Sequence, residues 1–562
     1  MTDPEQIWRT SFRHPGKWDD VLPPQSMVDL FEASATANPQ APFLDFMGRI
    51  YSYGETFDGA NRVAHGLKAL GYGPGDRIGL FLPNVPHYVA AYYGILKLGA
   101  VAVNFSPLYS VDELRAQVED SGTRLLFTLS ASALLPTALK VLDASSLERL
   151  VVGSVAGALP AAQSILYRLF KRSEVTPRPD DSRIMAFSAL IHNDGSAEHP
   201  KIDPERDVAL IQYTGGTTGT PKGAVLTHQN LSANARQIAR LDPDLGKERD
   251  TVLGVLPMFH VFANTCVLNR SVIAGGEIVM LPRFNAKQAV AAVRRTRTRA
   301  VPGVPTMFQA LLDCPDMSRE AFASVKYCIS GGAPLPATLQ AGFEDMTGTR
   351  LIEGYGLSET SGVVSTNPYA GLKKPGTIGQ PLIGTRVRLV DKEDPAKPVP
   401  AGEPGELVVN GPQVMRGYWN RPDADAQVFV TDADGTRWLR TGDVATIDED
   451  GYLRIVDRLK DMIAVGGFKV FPSQIEDVLY RHPAVKEALV IGLPDSYHGE
   501  LPHAYVTLGE GAAATGEELT AWLNPQLGKH ERVAEVVVRE SLPKTMIGKL
   551  SRKDLLKEVA QQ

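Results

Sequence analysis

Residues 212–224, Gln-Tyr-Thr-Gly-Gly-Thr-Thr-Gly-Thr-Pro-Lys-Gly-Ala, constrain this chain more than any other stretch. Glycines let a backbone approach an anion closely, threonines add hydroxyl donors, and Lys222 adds a positive charge. The apolar run at 208–211 just before it predicts a buried strand. A strand that leads into such a segment predicts a phosphate-binding loop. The candidate phosphate-binding residues are Thr214, Gly215, Gly216, Thr217, Thr218, Gly219 and Lys222.

Two common nucleotide-binding patterns do not fit this loop. A Walker A loop needs a lysine followed directly by Ser or Thr, whereas Lys222 lies between Pro221 and Gly223. The glycine spacing is not Gly-x-Gly-x-x-Gly either. The remaining alternative, a flexible polar linker, is disfavoured by so many glycines and threonines around a single lysine.

Length and composition narrow the class of protein. A chain of 562 residues exceeds one hydrophobic core, so we expect several domains. A formal net charge of −6 argues against general nucleic-acid binding. Its three cysteines have no Cys-x-x-Cys spacing, and the N-terminus lacks the features of a signal peptide. These features predict a reducing, cytoplasmic compartment.

The order of apolar runs predicts the domain organisation. Strand and helix patterns alternate over residues 26–200, with a helix predicted at 88–99 and a strand at 101–104, and again from 251, which favours parallel α/β layers. Beyond residue 375, short Val/Leu runs between glycines and prolines, among them 386–390 and 405–410, predict antiparallel β-structure. We therefore predict an α/β protein: a large N-terminal domain of layered α/β subdomains plus a β-rich subdomain, and a small mobile α+β C-terminal domain. The predicted boundaries are 1–457, a hinge at 458–460, and 461–562.

One segment has the pattern of an amphipathic helix. In residues 164–172 one helical face carries the apolar side chains of Ile165, Leu166, Leu169 and Phe170, and the basic side chains lie elsewhere. The pattern fits a helix packed on its own domain, which we favour, or one in peripheral contact with the inner membrane.

Four further stretches combine residue types that suit chemistry. His260 lies among aromatic residues, although a single histidine is more often structural. Tyr355 could stack on a base, and Glu359 could bind Mg²⁺, which prefers oxygen ligands. Asp443 follows a turn glycine and could accept two ribose hydroxyls. Lys549 follows Gly548 and precedes a predicted helix at 553–559, a placement that could bring it onto a phosphate.

Together these stretches resemble the adenylate-forming superfamily of acyl-CoA synthetases, luciferases and peptide-synthetase adenylation domains. The resemblance spans nearly the whole chain and rests most on residues 213–223, 355–360, 438–443, 457–461 and 543–549. Within the superfamily the chain is most similar to bacterial long-chain fatty-acid–CoA ligases, as residues 212–219, 353–357, 412–419 and 455–461 indicate. The resemblance implies that ATP, Mg²⁺ and coenzyme A bind to the enzyme.

The resemblance also implies roles for individual residues. Residues 214–222 would hold the β- and γ-phosphates, and Lys549 would bridge the acid and the α-phosphate. The implied adenine-site residues are Gly332, Ala333 and Tyr355, with Gly356 and Ser358 in the same ATP site. The implied metal ligands are Glu359 and Thr217, and the ribose ligand is Asp443, with Arg458 nearby. Lys460 would be the hinge, and Gly466 and Gly467 would line the CoA tunnel.

The acid itself is the least constrained part of the prediction. The resemblance places His260 at the mouth of an acyl pocket, and Phe259, Asn264, Leu268 and Arg270 are further candidates for its lining. Polar residues along 264–271 leave room for a shorter, ring-bearing or ω-carboxylated acid. If Arg270 reaches the pocket, it would pair with a second carboxylate; the alternative, which we favour, is that Arg270 points to solvent or pairs with an acid on the domain surface.

Several classes of function remain open beside the fatty-acid–CoA ligase. A medium-chain dicarboxylate–CoA ligase is one. An amino-acid adenylation module would need an acid where His260 follows Phe259, and a luciferase-like or other non-CoA enzyme shares the adenylation stretches. A non-enzymatic binding protein is disfavoured by the presence of Lys549 and Glu359. The resemblance further implies a lysine acetyltransferase that acts on Lys549, and a dimer is plausible.

Overall fold

Four β-sheets organise the part of the chain that the computed structural model describes, residues 4–196, 198–214, 221–392, 394–400, 402–466, 468–545 and 548–561. The first sixteen strands belong to two large sheets. They are Pro42–Phe46 (β1), Arg49–Ser52 (β2), Arg77–Leu80 (β3), Val101–Asn104 (β4), Leu125–Leu129 (β5), Arg149–Gly153 (β6), Ile184–Ala186 (β7), Val208–Thr214 (β8), Lys222–Thr227 (β9), Thr251–Gly254 (β10), Glu277–Met280 (β11), Ala300–Gly303 (β12), Tyr327–Gly331 (β13), Arg350–Tyr355 (β14), Ser365–Thr366 (β15) and Gln380–Pro381 (β16).

The later strands build two smaller sheets and one edge of a large sheet. They are Arg386–Val390 (β17), Gly405–Asn410 (β18), Gly417–Tyr418 (β19), Phe429–Thr431 (β20), Arg437–Ile447 (β21), Leu453–Arg458 (β22), Ile463–Val465 (β23), Phe468–Val470 (β24), Val485–Asp495 (β25), Gly499–Leu508 (β26) and Val536–Val538 (β27).

Helices cover the sheets. The α-helices are Pro4–Ser11 (α1), Met27–Ala37 (α2), Tyr53–Ala69 (α3), Pro86–Lys97 (α4), Val111–Ser121 (α5), Leu135–Ala144 (α6), Val155–Ala158 (α7), Ala161–Phe170 (α8), Phe187–Leu190 (α9), His228–Arg240 (α10), Val261–Ala263 (α11), Arg270–Ala274 (α12), Ala286–Thr296 (α13), Pro305–Leu312 (α14), Ala337–Thr347 (α15), Pro422–Val428 (α16), Pro472–Leu479 (α17), Gly516–Leu523 (α18) and Arg552–Ala560 (α19). Short 3₁₀ turns occupy Arg172–Glu174, Ser358–Thr360 and Asn524–Gln526, and a π-helical segment spans Asn264–Asn269.

Both large sheets are parallel in their centres; both edges of the nine-stranded sheet and the β19-β9-β8 edge of the eight-stranded sheet are antiparallel, whereas its other edge strand, β7, pairs parallel with β6. The nine-stranded sheet runs β16-β15-β14-β13-β12-β10-β11-β1-β2, and the eight-stranded sheet runs β19-β9-β8-β4-β3-β5-β6-β7. Because β13 and β14 are parallel neighbours, their carboxyl ends meet at one edge, where Gly331 pairs with Gly354. In open α/β sheets this edge is where ligands bind.

The β-rich part and the C-terminal part are separate sheets with their own cores. The third sheet runs β17-β18-β21-β20 with β22 on β21, and Trp8 and Trp18 pack in its core. The fourth runs β24-β23-β26-β25 with β27 on β26, and α17 and α18 pack on it. The predicted α/β class, the β-rich subdomain and the small α+β domain are therefore confirmed. The exact domain boundaries stay a prediction; the chain leaves the third sheet with Arg458 and enters the fourth with Ile463.

Local sequence signals explain how well individual elements were predicted. The strands at 101–104, 386–390 and 405–410 are confirmed to the residue. The helix predicted at 88–99 begins earlier, because Pro86 is favoured in the first turn of a helix. It ends earlier as well, because Gly99 has a φ of 72° that a continuing helix cannot contain.

The favoured reading of residues 164–172 is wrong. The segment forms α8, but none of the residues of α8 is buried, so the helix does not pack its apolar face on its own domain. No helix within the described residues is long and apolar enough to cross a membrane.

Candidate active site

Lys549 reaches from the C-terminal domain to the end of β13. A Cβ atom added to Gly332 would lie 2.5 Å from Cε and 3.0 Å from Nζ of Lys549, so the lysine fills the space that a side chain at 332 would need. The loop that carries it is held on the large domain by Thr306, whose hydroxyl donates to the carbonyl oxygen of Gly548 at 3.0 Å. Thr545 supports the loop by accepting a hydrogen bond from the Lys549 N–H through Oγ1 at 3.1 Å. Two distant candidate residues, Lys549 and Gly332, are therefore in contact.

The surroundings of Lys549 set its charge. Burial and, to a smaller extent, the nearby Arg458 guanidinium lower its pKa to about 8, and the Asp443 carboxylate acts in the opposite direction. The ammonium form therefore predominates at neutral pH and is lost as the pH rises through about 8. A lysine held this way can stabilise negative charge that develops next to it.

Asp443 is a buried carboxylate with two partners from other predicted site positions. It lies on β21 opposite Arg458 of β22, and Arg458 Nε is 3.0 Å from Asp443 Oδ1. The hydroxyl of Tyr355, at the end of β14, donates to Asp443 Oδ2. Burial and the charge of Asp443 raise the pKa of Tyr355, so the phenol keeps the proton that it donates. The carboxylate is 2% exposed and is fixed at the junction of two sheets.

Glu359 and Lys222 are connected through a residue that sequence reasoning did not single out, Tyr418. Its hydroxyl donates to Glu359 Oε1 at 2.7 Å, and the Lys222 ammonium lies 5.3 Å from the centre of its ring. Tyr418 is on β19, which pairs with β9 and so brings the aromatic ring beside the start of that strand. The stretch 412–419 carried part of the family resemblance, but nothing in its local pattern indicates which acid the tyrosine would contact.

Thr214 and Lys222 flank the predicted phosphate loop. Thr214 ends β8, Lys222 begins β9, and the two are paired across the antiparallel strands. Gly215, Gly216, Thr217, Thr218 and Gly219 lie outside the described residues, as does Gly467 of the predicted CoA tunnel.

The predicted adenine side of the site contains a buried acid that the sequence analysis did not single out. Glu353 on β14 accepts the N–H of Leu335 at 3.2 Å, and this hydrogen bond fixes the Gly332-Ala333 turn against the strand. Burial raises the pKa of Glu353 to about 8, so it is mostly protonated at neutral pH. Gly356 has no room for a side chain, since a Cβ there would lie 2.1 Å from the Gly362 carbonyl oxygen. Ser358 begins the 3₁₀ turn that carries Glu359.

The charge of Lys549 affects the pKa of His260. Burial and, to a smaller extent, the Lys549 ammonium lower that pKa to about 3. The neutral ring caps α11, because Nδ1 accepts the N–H of Phe262 at 3.3 Å. With so low a pKa the imidazole is a weak base, and its position favours a role in shaping the site. Phe259 is 9% exposed and packs in the core beside it.

The segment after α11 does not follow the helical period that we assumed for the acyl pocket. Asn264–Asn269 is π-helical, so its side chains turn more slowly around the axis than at 3.6 residues per turn. Asn264 and Leu268 are fully buried. The Asn264 side-chain oxygen accepts from the Tyr92 hydroxyl at 3.3 Å and from the Asn269 amide at 2.8 Å.

Arg270 pairs with acids of the protein, as the favoured hypothesis includes, but it does so in the interior and not on the domain surface. It is 1% exposed, so it is not a surface arginine. Its guanidinium donates to Asp250 and, at 2.8 Å, to the Tyr327 hydroxyl, with Asp242 3.6 Å away. A charge already paired inside the domain is not available to a second substrate carboxylate, so Arg270 is corrected from a pocket residue to the centre of a buried ionic network.

The predicted hinge and tunnel lie between and within the domains. The N–H of Leu459 donates to Gly442 at 2.9 Å, and that of Asp461 donates to Arg458 at 3.1 Å, so the backbone around Lys460 is hydrogen-bonded on both sides. Burial lowers the pKa of Lys460, and Arg458 lowers it further. Gly466 has a φ of 56° and donates to the His498 carbonyl at 2.7 Å within the small domain.

Comparisons with known proteins agree with this arrangement. A profile of the AMP-binding enzyme family matches residues 31–419, and one of the AMP-binding enzyme C-terminal domain matches residues 474–549. A long-chain-fatty-acid–CoA ligase of Bacillus subtilis is 38% identical over 96% of this chain and 95% of its own length. One of Escherichia coli is 36% identical over 95% of this chain and 94% of its own. The crystal structure of the anthranilate CoA ligase AuaEII in complex with anthranoyl-AMP matches with a TM-score of 0.84 at 26% identity, covering 96% of this chain and 98% of that one.

The first profile alone spans more than half of the sequence. The chain therefore belongs to the AMP-binding enzyme family, which confirms the resemblance to the adenylate-forming superfamily.

The residues fit the Mg²⁺ that such enzymes use with ATP. Among the described residues, no group of three or more His, Cys, Asp and Glu side chains could hold a metal alone. Mg²⁺ typically binds through one or two carboxylates plus substrate phosphates and water. Glu359 suits that pattern, because Tyr418 fixes one of its oxygens and Lys222 marks the predicted phosphate loop nearby.

Proposed function

We propose that this protein is an ATP-dependent acyl-CoA ligase that activates a medium- or long-chain fatty acid as its adenylate and then transfers the acyl group to CoA. The observation that carries the proposal is the contact of Lys549 with Gly332, beside Asp443 and its partners Tyr355 and Arg458. Lys549 is a cation from the small domain that lies between Asp443, the predicted ribose ligand, and the turn at Gly332 that is predicted to bind adenine. A cation at this position suits the attack of a carboxylate on the α-phosphate of ATP. The names of the relatives support the acyl-CoA product.

In the first half-reaction the chain binds ATP and the acid and stabilises charge. Asp443 would accept hydrogen bonds from the ribose hydroxyls. Thr214 and Lys222 would begin and end the loop that binds the β- and γ-phosphates. The carboxylate oxygen attacks the α-phosphorus, the bond to the pyrophosphate oxygen breaks, and pyrophosphate leaves. Lys549 lies where negative charge gathers, and such a group lowers the barrier only if it is protonated. Mg²⁺ held by Glu359 and, through the loop, Thr217 would supply further neutralisation of phosphate charge.

In the second half-reaction a thiol must reach the carbonyl carbon that Lys549 now faces. The CoA sulfur attacks that carbon, and AMP leaves with the electrons of the acyl–oxygen bond. Because Lys549 and its loop occupy the approach, the small domain must move, and we propose residues 458–460 as its hinge. Gly466 and Gly467 would then line the path of the pantetheine arm, where a side chain would obstruct it.

The acid is proposed as a fatty acid because Arg270, the one group that suggested a dicarboxylate, has its partners inside the domain. A ring-bearing acid is the second candidate. The buried amide of Asn264, hydrogen-bonded to Tyr92 and Asn269, gives the predicted acyl side a polar character that suits a substituted ring.

A substrate panel tests both candidates. Pyrophosphate release would be measured with ATP and CoA for fatty acids of 6 to 18 carbons, for dicarboxylates of equal length, and for benzoate and cinnamate derivatives. We expect the highest kcat/KM for a fatty acid and product mass equal to the acyl-CoA. A higher kcat/KM for an aromatic acid would overturn the fatty-acid substrate in favour of the ring-bearing acid. Pyrophosphate release without any thioester product would overturn the CoA-ligase reaction.

We also propose a cellular location, a modifying enzyme and an oligomeric state. We place the enzyme in the cytoplasm in peripheral contact with the inner membrane. Acetylation of Lys549 by a lysine acetyltransferase would remove the charge that adenylation needs, and mass spectrometry of protein from the native host tests it. A dimer stays a prediction that light scattering decides.

A further inference from the structure

The apolar face of α8 points away from the protein. Ile165 is 60% exposed, Leu166 54%, Leu169 55% and Phe170 76%. At about 100° per residue these four side chains span roughly 140° of the helix circumference. Large apolar side chains grouped in this way mark a surface that binds something.

The helix is fixed in this orientation at both ends. On its N-terminal side Arg49 and Tyr51 of β2 donate to the carbonyl oxygens of Gly157 and Ala158 at 2.7 and 2.9 Å. Beyond its C-terminal end, the N–H of Ser132 donates to the Glu174 carbonyl at 2.9 Å. Tyr167, on the opposite side of the helix, packs against the domain core. The exposed face is thus a built surface.

The charged residues of the stretch that contains α8, residues 149–173, are all basic. No Asp or Glu occurs between Arg149 and Ser173, while Arg168, Lys171 and Arg172 cluster at the C-terminal end of the helix. Lys171 pairs with Glu174 at 2.6 Å, but Arg168 and Arg172 form no ion pair with any acid of the described residues. An apolar face flanked by cations is complementary to an anionic lipid surface.

We propose that α8 is a membrane-docking helix that lies in the headgroup region of an anionic bilayer, with Ile165, Leu166, Leu169 and Phe170 inserted among the lipid chains. The proposal deepens the proposed function, because a fatty-acid ligase finds its substrate in that phase. Ten residues are too few to span a bilayer, which needs about 20.

A second copy of the chain fits this surface less well. A ten-residue helix is about 15 Å long, so its apolar strip is far smaller than the roughly 800 Å² per partner of a stable interface. A bilayer needs no such complementary area, because each inserted side chain gains independently.

Vesicle binding of the full-length protein tests the proposal. Sedimentation would compare phosphatidylcholine vesicles with vesicles containing 30% phosphatidylglycerol, for the wild type and an Ile165→Ser/Leu169→Ser/Phe170→Ser variant. The matched control is Val21→Ser/Leu108→Ser/Leu372→Ser, which removes three side chains that are 84%, 67% and 45% exposed elsewhere. We expect binding that requires phosphatidylglycerol, a loss of at least about tenfold in the α8 variant, and none in the control. Arg168→Glu/Arg172→Glu should lose binding to a similar degree.

Two further readouts separate this proposal from its alternatives. Pyrophosphate release with soluble hexanoate should be equal in wild type and α8 variant, while release with oleate held in anionic vesicles should fall in the variant. Absence of adenylation with every acid would overturn the proposed function and leave vesicle binding intact. Equal vesicle binding by the α8 variant, or a dimer that the variant dissociates, would overturn the membrane assignment.

Discussion

The pH dependence of adenylation follows from the environment of Lys549. Its pKa is lowered to about 8 by burial and by Arg458, and the adenylation step needs the ammonium form. The sign is therefore fixed: activity is present below pH 8 and is lost as the pH rises above it. With one group of pKa about 8, roughly 90% of the lysine is charged at pH 7 and roughly 10% at pH 9, so the rate should fall by nearly an order of magnitude.

The assay isolates the adenylation half-reaction. We would measure kcat/KM for ATP by pyrophosphate release without CoA between pH 6 and 10, since this parameter reports ionisations of the free enzyme. Lys549→Arg should move the alkaline limb upward, because a guanidinium stays charged in this range. Conversion of supplied acyl-adenylate plus CoA should instead speed up with pH, since it uses a thiolate. Equal kcat/KM at pH 7 and pH 9, or a limb unmoved by Lys549→Arg, would refute the reasoning.

Other changes address neighbouring parts of the site. Tyr418→Phe removes the 2.7 Å hydrogen bond to Glu359 and should raise the Mg²⁺ concentration for half-maximal pyrophosphate release by about 10-fold or more, whereas Tyr72→Phe should leave it unchanged. Lys460→Pro should block thioester formation and spare adenylation by stiffening the hinge, and earlier loss of pyrophosphate release would contradict the hinge. Arg270→Leu leaves the buried Asp250 without its cation, whereas Asp242 keeps Arg299 at 3.5 Å, and the loss should cost about 3–5 kcal/mol in urea unfolding. A changed ratio of kcat/KM between a diacid and a fatty acid in that variant would reinstate Arg270 as a pocket residue.

Local sequence patterns predicted secondary-structure elements, but they did not predict contacts between residues that are far apart in the chain. The strand at 386–390 is readable because alternation and β-branched residues act over a few positions. The turn expected before Asp443 is wrong, since Gly442 lies inside β21 with a φ of 72°. The contact of Lys549 with Gly332 joins positions far apart in the chain, and only the family resemblance could suggest it. Tyr418 was missed because its partners, Glu359 and Lys222, come from two other segments.

The wrong expectations for α8 and for Arg270 have a common physical cause. A periodic pattern defines the faces of a helix, but not which face meets the protein. For α8 the same spacing fits an inward or an outward apolar face, and tertiary contacts of Tyr167 turned it outward. For Arg270 the assumed period failed as well, because the π-helical turn shifts every later side chain, and its acid partner Asp250 precedes β10.

In the reaction that we propose, the arrangement around Lys549 suits the adenylation half-reaction. Asp443 and Tyr355 belong to the large domain, Arg458 ends its last strand, and Lys549 arrives from the fourth sheet. The loop is held by the Thr306–Gly548 hydrogen bond, and Lys486 of β25 pairs with Asp313 at 2.8 Å beside α14. These contacts exist only while the small domain is docked with its lysine in the site. Since the thiol attack that we propose needs the same approach, the proposed movement of the small domain must break the Thr306–Gly548 and Lys486–Asp313 contacts before thioester formation.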